Sequence, residues 1–101
     1  MLPVLIADDH EIVRRGVRDV VEGHLGWEVC AEANQGDQVL ELAQELRPNI
    51  IVLDVSLPGL NGVAVTRQVR TLLPATEVLL FTMHDDDETI SGGLAAGARG
   101  Y

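Results

Sequence analysis

Hydrophobic and polar residues alternate along this chain between short apolar runs and longer segments of helical periodicity. Residues 4–7, 50–53 and 78–81 are continuous apolar runs, which are typical of strands buried on both faces of a sheet. Residues 27–31 alternate between more and less apolar side chains, which predicts a further strand. Between these runs, apolar residues recur every three or four positions, as in amphipathic helices. The pattern therefore predicts the order β-α-β-α-β-α-β.

The first helical segment has an apolar face and a basic face. The apolar positions, which we expect to pack against the sheet, are Ile12, Val13, Val17, Val20 and Val21. The basic positions, which we expect to form a solvated face, are Arg14, Arg15 and Arg18.

The segment after Asp54 carries two conflicting signals. Asn61-Gly62 between apolar residues is typical of a hairpin, whereas Pro58-Gly59 would interrupt the strand that leads into it. The apolar spacing from Val65 onwards favours a helix, and a helix is our prediction here. A last helix is predicted over residues 86–96, followed by the start of a fifth strand at 99–101.

This alternation of strands and helices predicts an α/β domain with three layers, in which helices cover both faces of a doubly wound parallel sheet. The 101 residues correspond to one domain, 1–101. With 47% hydrophobic and 23% charged residues, the composition is that of a globular domain and not of a disordered chain. In such sheets, ligands bind beyond the carboxyl ends of the strands.

The net charge and the cysteine content disfavour several functions and cellular settings. The net charge of −9 disfavours direct binding to nucleic acid or to an anionic membrane, because both would be repelled. No apolar run approaches the about 18 residues needed to span a bilayer, and no secretory signal is recognisable at the N-terminus. Cys30 is the only cysteine, so no internal disulfide can form, which favours a reducing, cytoplasmic setting. Its side chain is expected to be a small core residue.

Acidic and hydroxyl residues follow the predicted strands. Asp8-Asp9 follows the first strand, Asp54 the third and Thr82 the fourth, so these residues are expected to meet at one edge of the sheet. Converging carboxylates repel one another, and oxygen ligands favour a hard cation such as Mg²⁺. A carboxylate beside Mg²⁺ can attack phosphorus and form an aspartyl phosphate. Pro58-Gly59 is expected to form a tight turn that keeps the loop after Asp54 in place.

The histidines are a weaker candidate for a metal site. His10 and His24 have no Cys or second His at ligand spacing, so a zinc site is not expected from the sequence.

Four motifs in this order resemble a response-regulator receiver domain. They are VLIADDH at 4–10, DVSLPGLNG at 54–62, TMH at 82–84 and GARGY at 97–101. The first and the last most resemble the NarL/FixJ (LuxR-type) subfamily. The resemblance implies a flavodoxin-like fold with strand order 2-1-3-4-5, acting in two-component signal transduction as a phosphoacceptor and not as a turnover enzyme.

The resemblance also implies roles for individual residues. Asp54 would accept a phosphoryl group from a sensor histidine kinase. Asp9, Asp54 and the backbone carbonyl of Ser56 would bind Mg²⁺, and Asp8 would reach it through water. Gly62, with Pro58 and Gly59, would shape the loop after Asp54.

Further implied roles concern switching and the lifetime of the phosphoryl group. Thr82 and the backbone N–H of Met83 would contact the phosphoryl group, and Tyr101 would turn inward as the partner of Thr82. The side chains of Ser56 and His84 would tune how long the phosphate lasts.

One departure from the family pattern lies at the C-terminus. Receivers carry a lysine shortly after the tyrosine, and this sequence ends at Tyr101. The resemblance therefore predicts a shortened receiver with an incomplete fifth strand and without the fifth helix. The helix-turn-helix domain through which NarL/FixJ relatives bind DNA is likewise not in this sequence. We also expect that an exposed strand-four edge or the last helix could support a homodimer.

Two alternative functions remain open from the sequence. A degenerate receiver would act only through protein contacts, which the intact acidic residues argue against. A Mg²⁺-dependent small-molecule phosphatase of the haloacid-dehalogenase type would need a second Asp at position 56, where this chain has Ser.

Overall fold

A computed structural model describes residues 1–55, 57 and 61–81 of the chain. The strands within these ranges are β1 (Leu2–Ala7), β2 (Trp27–Ala33), β3 (Ile50–Asp54) and β4 (Glu77–Phe81). The helices are α1 (Glu11–Glu22), α2 (Gly36–Leu46) and α3 (Gly62–Leu72). Each strand and helix predicted for this part of the chain is therefore present. The helix predicted over 86–96 and the strand predicted at 99–101 lie outside the described residues.

All pairings between the described strands are parallel, in the order β2-β1-β3-β4. The predicted strand order is thus confirmed for these strands. The register places Leu5 opposite Ile51, and Ile51 in turn opposite Val78. The strands β1, β3 and β4 therefore end at nearly the same level, and their carboxyl ends form one edge of the sheet.

Both faces of the sheet are covered by helices, as predicted for three layers. The larger core cluster lies under α2 and α3 and includes Leu5, Val39, Leu53 and Val65, all fully buried. The smaller cluster lies under α1 and joins Val4, Ile6 and Val21. The short apolar runs of β1 and β3 thus divide their side chains between the two faces, which explains why every position in them is apolar. No helix in the described ranges combines the length and the hydropathy needed to cross a bilayer.

The apolar face predicted for α1 is wrong at two positions. Ile12 and Val20 are exposed, at 83% and 75% of their surface, whereas Val21 is 4% exposed. The helix buries a narrow stripe that runs through Val17 and Val21, four residues apart. Each step along a helix turns the side chain by about 100°, which carries Val20 away from this stripe.

Cys30, predicted to be a small core residue, is half-buried and packs against the larger core cluster without being one of its buried members. It lies at a register shift in β2, where Val4 of β1 is opposite Val29 and Leu5 is opposite Ala31. Burial is the main reason why the pKa of the Cys30 thiol is raised above its ordinary value of 9.0.

Candidate metal centre at the carboxyl edge of the sheet

The acidic residues that follow β1 and end β3 lie side by side. Ala7 is opposite Leu53 in the register of the two strands, which makes Asp8 and Asp54 neighbours at the edge. Both residues are buried, at 1% and 4% exposure. Together with Asp9 and His10 they present ligand atoms that all lie within 4.8 Å of one another. The structure therefore brings together three acidic residues that are up to 46 positions apart in the sequence (from 8 to 54).

Asp8 is held on its backbone as well as on its side chain. Its N–H donates to the Ala33 carbonyl at 3.0 Å, and its own carbonyl accepts from Arg14 Nη1 at 2.7 Å. Its Oδ1 accepts the His10 N–H at 2.5 Å, which is the hydrogen bond of an Asx turn. These contacts turn the chain from β1 into α1 directly at the acidic cluster.

His10 is a member of the cluster that the sequence reasoning did not include. Its Nδ1 lies 3.1 Å from Asp8 Oδ1 and 3.0 Å from Asp9 Oδ1. Its partners are the two carboxylates that directly precede it and not a Cys or a second His. The adjacency of His10 to Asp8-Asp9 was the only available signal.

Asp9 is the more accessible of the two consecutive carboxylates. Its side chain is 35% exposed, whereas that of Asp8 is 2% exposed. The site therefore has a closed side formed by Asp8 and Asp54, and an open side at Asp9.

Gly62 brings the start of α3 against the end of β3. Its N–H donates to the Val55 carbonyl at 2.9 Å. A β-carbon at this position would lie 2.6 Å from Val55 Cα and 2.9 Å from the Asp54 carbonyl oxygen. Only glycine fits this approach without displacing the backbone of Asp54. Asn61 begins the helix by accepting the Ala64 N–H on its side chain at 2.9 Å, so Asn61-Gly62 is a helix start and not a hairpin.

Two of the three basic residues predicted to form a solvated face of α1 are instead paired with an acidic side chain of the sheet. Arg18 Nη1 lies 2.9 Å from Glu32 Oε2, and Arg14 Nε lies 3.4 Å from Glu32 Oε1. Glu32 is in β2, so α1 packs with these side chains towards the edge strand. Arg15, between them, is exposed.

Several predicted site residues lie outside the described residues. They are Ser56, Pro58, Gly59, Thr82, Met83, His84 and Tyr101. Phe81, which directly precedes Thr82, is opposite Asp54 in the register of β3 and β4. The fourth strand therefore reaches the same edge as the acidic cluster.

The donor set at this edge suits a hard divalent cation. Carboxylate oxygens from Asp8, Asp9 and Asp54 are the ligands that Mg²⁺ prefers. Buried like charges also repel one another, so a bound cation would relieve a real electrostatic cost. The residues present thus fit a magnesium site.

Comparisons with known proteins give a consistent result. A family model for the response regulator receiver domain matches residues 4–101. The chain is 35% identical over 101 residues to the response regulator GacA of Pseudomonas aeruginosa, covering 100% of this chain and 47% of that protein. It is 33% identical over 100 residues to the transcriptional regulatory protein DegU of Brevibacillus brevis, covering 99% of this chain and 42% of that protein.

A solved structure agrees with these sequence matches. A LuxR-family two-component response regulator from Aurantimonas sp. SI85-9A1 matches with a TM-score of 0.92 and 38% identity, covering 98% of this chain and 71% of that chain. The chain spans less than half the length of the two curated relatives.

Proposed function

Because this chain belongs to the receiver domains of two-component response regulators of the LuxR/NarL type, we propose that Asp54 accepts a phosphoryl group in the presence of Mg²⁺. The observation that supports this most directly is the position of Asp54. Its carboxylate is buried at the carboxyl end of β3, within 4.8 Å of the ligand atoms of Asp8 and Asp9. A receiver domain of this family is a signalling module and not a turnover enzyme.

The proposed step transfers a phosphoryl group from a histidine nitrogen to an oxygen of Asp54. One oxygen of the Asp54 carboxylate attacks the phosphorus of a phosphohistidine on a sensor kinase. The new P–O bond forms as the P–N bond breaks, and the histidine nitrogen leaves with the electron pair. The product is a mixed anhydride on Asp54.

The acidic neighbours of Asp54 support a requirement for a metal ion. Asp8 and Asp9 would repel an incoming anionic phosphoryl group in this partly buried site. Mg²⁺, when bound, neutralises the charge on the phosphoryl oxygens. We assign Asp9, Asp54 and the Ser56 carbonyl as its ligands, with Asp8 acting through water.

The consequence of phosphorylation is proposed from the family. Thr82 and the Met83 N–H would contact the phosphoryl group, Tyr101 would follow Thr82, and His84 would affect the lifetime of the phosphate. Residues 1–101 would act as the receiver module of a cytoplasmic transcriptional regulator. DNA would then be bound only by a separate helix-turn-helix domain.

The test is intact mass spectrometry after incubation with acetyl phosphate. We expect one phosphoryl adduct in the presence of Mg²⁺, none after chelation, and none in Asp54→Asn. Asp37→Asn is the matched control, because Asp37 is an exposed carboxylate in the first turn of α2, remote in sequence from the acidic cluster. A folded protein that takes up no phosphate with Mg²⁺ would contradict the proposal and favour a module that acts only by contact.

A further inference from the structure

We propose that Arg14 is a positioning residue of the metal centre, holding the turn between β1 and α1 so that Asp8 and Asp9 face the cation. This inference rests on the proposed function. Arg14 Nη1 donates to the Asp8 carbonyl at 2.7 Å, and Arg14 Nε lies 3.4 Å from Glu32 Oε1. A single side chain thus connects the backbone of the metal centre to the edge strand β2.

The contact with the carbonyl matters because of what this carbonyl belongs to. The Asp8 C=O is half of the peptide plane that leads into Asp9, and a planar peptide has no internal freedom. Fixing the direction of this carbonyl therefore fixes where the Asp9 backbone begins. The N–H of Asp8 is already bound to Ala33 of β2 at 3.0 Å. The β2 strand thus binds the N–H of Asp8, and Arg14 binds its carbonyl.

Glu32 holds the other end of Arg14. The Arg14 side chain is 21% exposed and that of Glu32 is 28% exposed, so the pair is partly shielded from water. The guanidinium has several donors in a rigid plane, which lets it serve a carboxylate and a carbonyl together. A lysine at this position has a single ammonium group and would serve the two acceptors less well.

Arg18 provides a matched comparison within the same helix. It is four residues further along α1 and binds the same Glu32, at 2.9 Å. Its described contacts do not include the Asp8 carbonyl. Removal of either arginine costs an ion pair with Glu32, but only removal of Arg14 frees the turn at the metal centre.

The experiment measures the Mg²⁺ dissociation constant by calorimetry and stability by urea unfolding, on the 101-residue chain. We expect Arg14→Ala to weaken Mg²⁺ binding about tenfold, the size of effect found when residues that orient metal ligands are removed. Arg18→Ala should change it less than about twofold, on the same scale. Arg14→Lys should lie between Arg14→Ala and the unmodified protein.

Glu32→Gln is a second variant that tests the same inference if Arg14→Ala does not fold. It leaves the Arg14 guanidinium in place and removes only the charge that holds it, so Mg²⁺ binding should weaken by less than in Arg14→Ala and by more than in Arg18→Ala.

Three outcomes would overturn the inference. They are equal weakening in Arg14→Ala and Arg18→Ala, no weakening in either, or an unchanged affinity in Glu32→Gln when Arg14→Ala is unfolded. If the unmodified protein binds no Mg²⁺, the proposed function fails as well. If it binds Mg²⁺ and the Arg14 variants bind equally well, only the role of Arg14 fails.

Discussion

Gly62 lies so close to Val55 that a β-carbon on the glycine would be 2.6 Å from the Val55 Cα. The N–H of Gly62 donates to the carbonyl of the same valine at 2.9 Å, which fixes the first turn of α3 against the end of β3. Asp54 directly precedes Val55. The position of the proposed phosphoryl acceptor is thus coupled to the absence of a side chain at residue 62.

The first prediction concerns this close approach. Gly62→Ala should lower the free energy of unfolding by about 2 kcal/mol or more, because the methyl group meets backbone atoms that must move. Gly16→Ala is the matched control, since nothing lies within 4 Å of a β-carbon at this position within α1. Its free energy of unfolding should rise by about 0.5–1 kcal/mol, because alanine favours the helix more than glycine does. Urea unfolding measures both changes. Equal changes in the free energy of unfolding of the two variants would contradict the close packing at Gly62.

The second prediction concerns Mg²⁺ as a stabilising ligand. At ten times its dissociation constant, Mg²⁺ should raise the free energy of unfolding by about 1.4 kcal/mol, because it binds only the folded state. Asp8→Asn should lose much of this increase. In the presence of a chelator, the same variant should be as stable as the unmodified protein or more so, since one of the buried like charges is gone. Thermal unfolding with and without Mg²⁺ measures both effects.

An Asp8→Asn variant that is stabilised by Mg²⁺ to the same extent as the unmodified protein would exclude Asp8 from the metal centre. Asp37→Asn, outside the cluster, should behave like the unmodified protein in both conditions.

The third prediction tests the orientation of α1. Val21→Thr should lower the free energy of unfolding by about 1–3 kcal/mol, because it buries a hydroxyl group on the sheet side of the helix. Val20→Thr, the same change one residue earlier, should alter stability by less than about 0.5 kcal/mol, as expected for an exposed position. Urea denaturation of both variants is sufficient. Similar losses would mean that α1 is rotated relative to the described structure.

The fourth prediction concerns the pH dependence that Cys30 introduces. Its thiol pKa is raised, mainly by burial, so the folded state disfavours the thiolate. As pH rises from the ordinary value of 9.0 towards the raised value, the unfolded state loses its proton first and stability falls. Below the ordinary value, this effect vanishes.

Cys30→Ala isolates the contribution. The difference in free energy of unfolding between the unmodified protein and this variant should be constant below pH 8 or so. Above pH 9 or so, around the ordinary thiol value, the unmodified protein should lose stability relative to the variant. Iodoacetamide should also modify Cys30 more slowly than a free thiol at neutral pH, because the thiolate is the reactive form. A rate equal to that of glutathione would contradict the raised pKa.

In the described part of the chain, the sequence by itself determined the strands and helices and which residues follow the strands. The apolar runs at 4–7, 50–53 and 78–81 specify strands because strands buried on both faces admit no polar position. Since parallel strands end at a common edge, the sequence alone predicts that Asp8 and Asp54 lie together. The helix after Asn61 could also be predicted, because its apolar spacing outweighed the local turn signal.

Only the tertiary structure decided how α1 sits on the sheet. Its rotation exposes Ile12 and Val20, which the apolar pattern of the sequence grouped with the buried residues. The same rotation directs Arg14 and Arg18 to Glu32, a partner 14 or more positions away in the sequence. These pairings depend on helix rotation and strand register, which result from packing over the whole domain and have no local sequence signal.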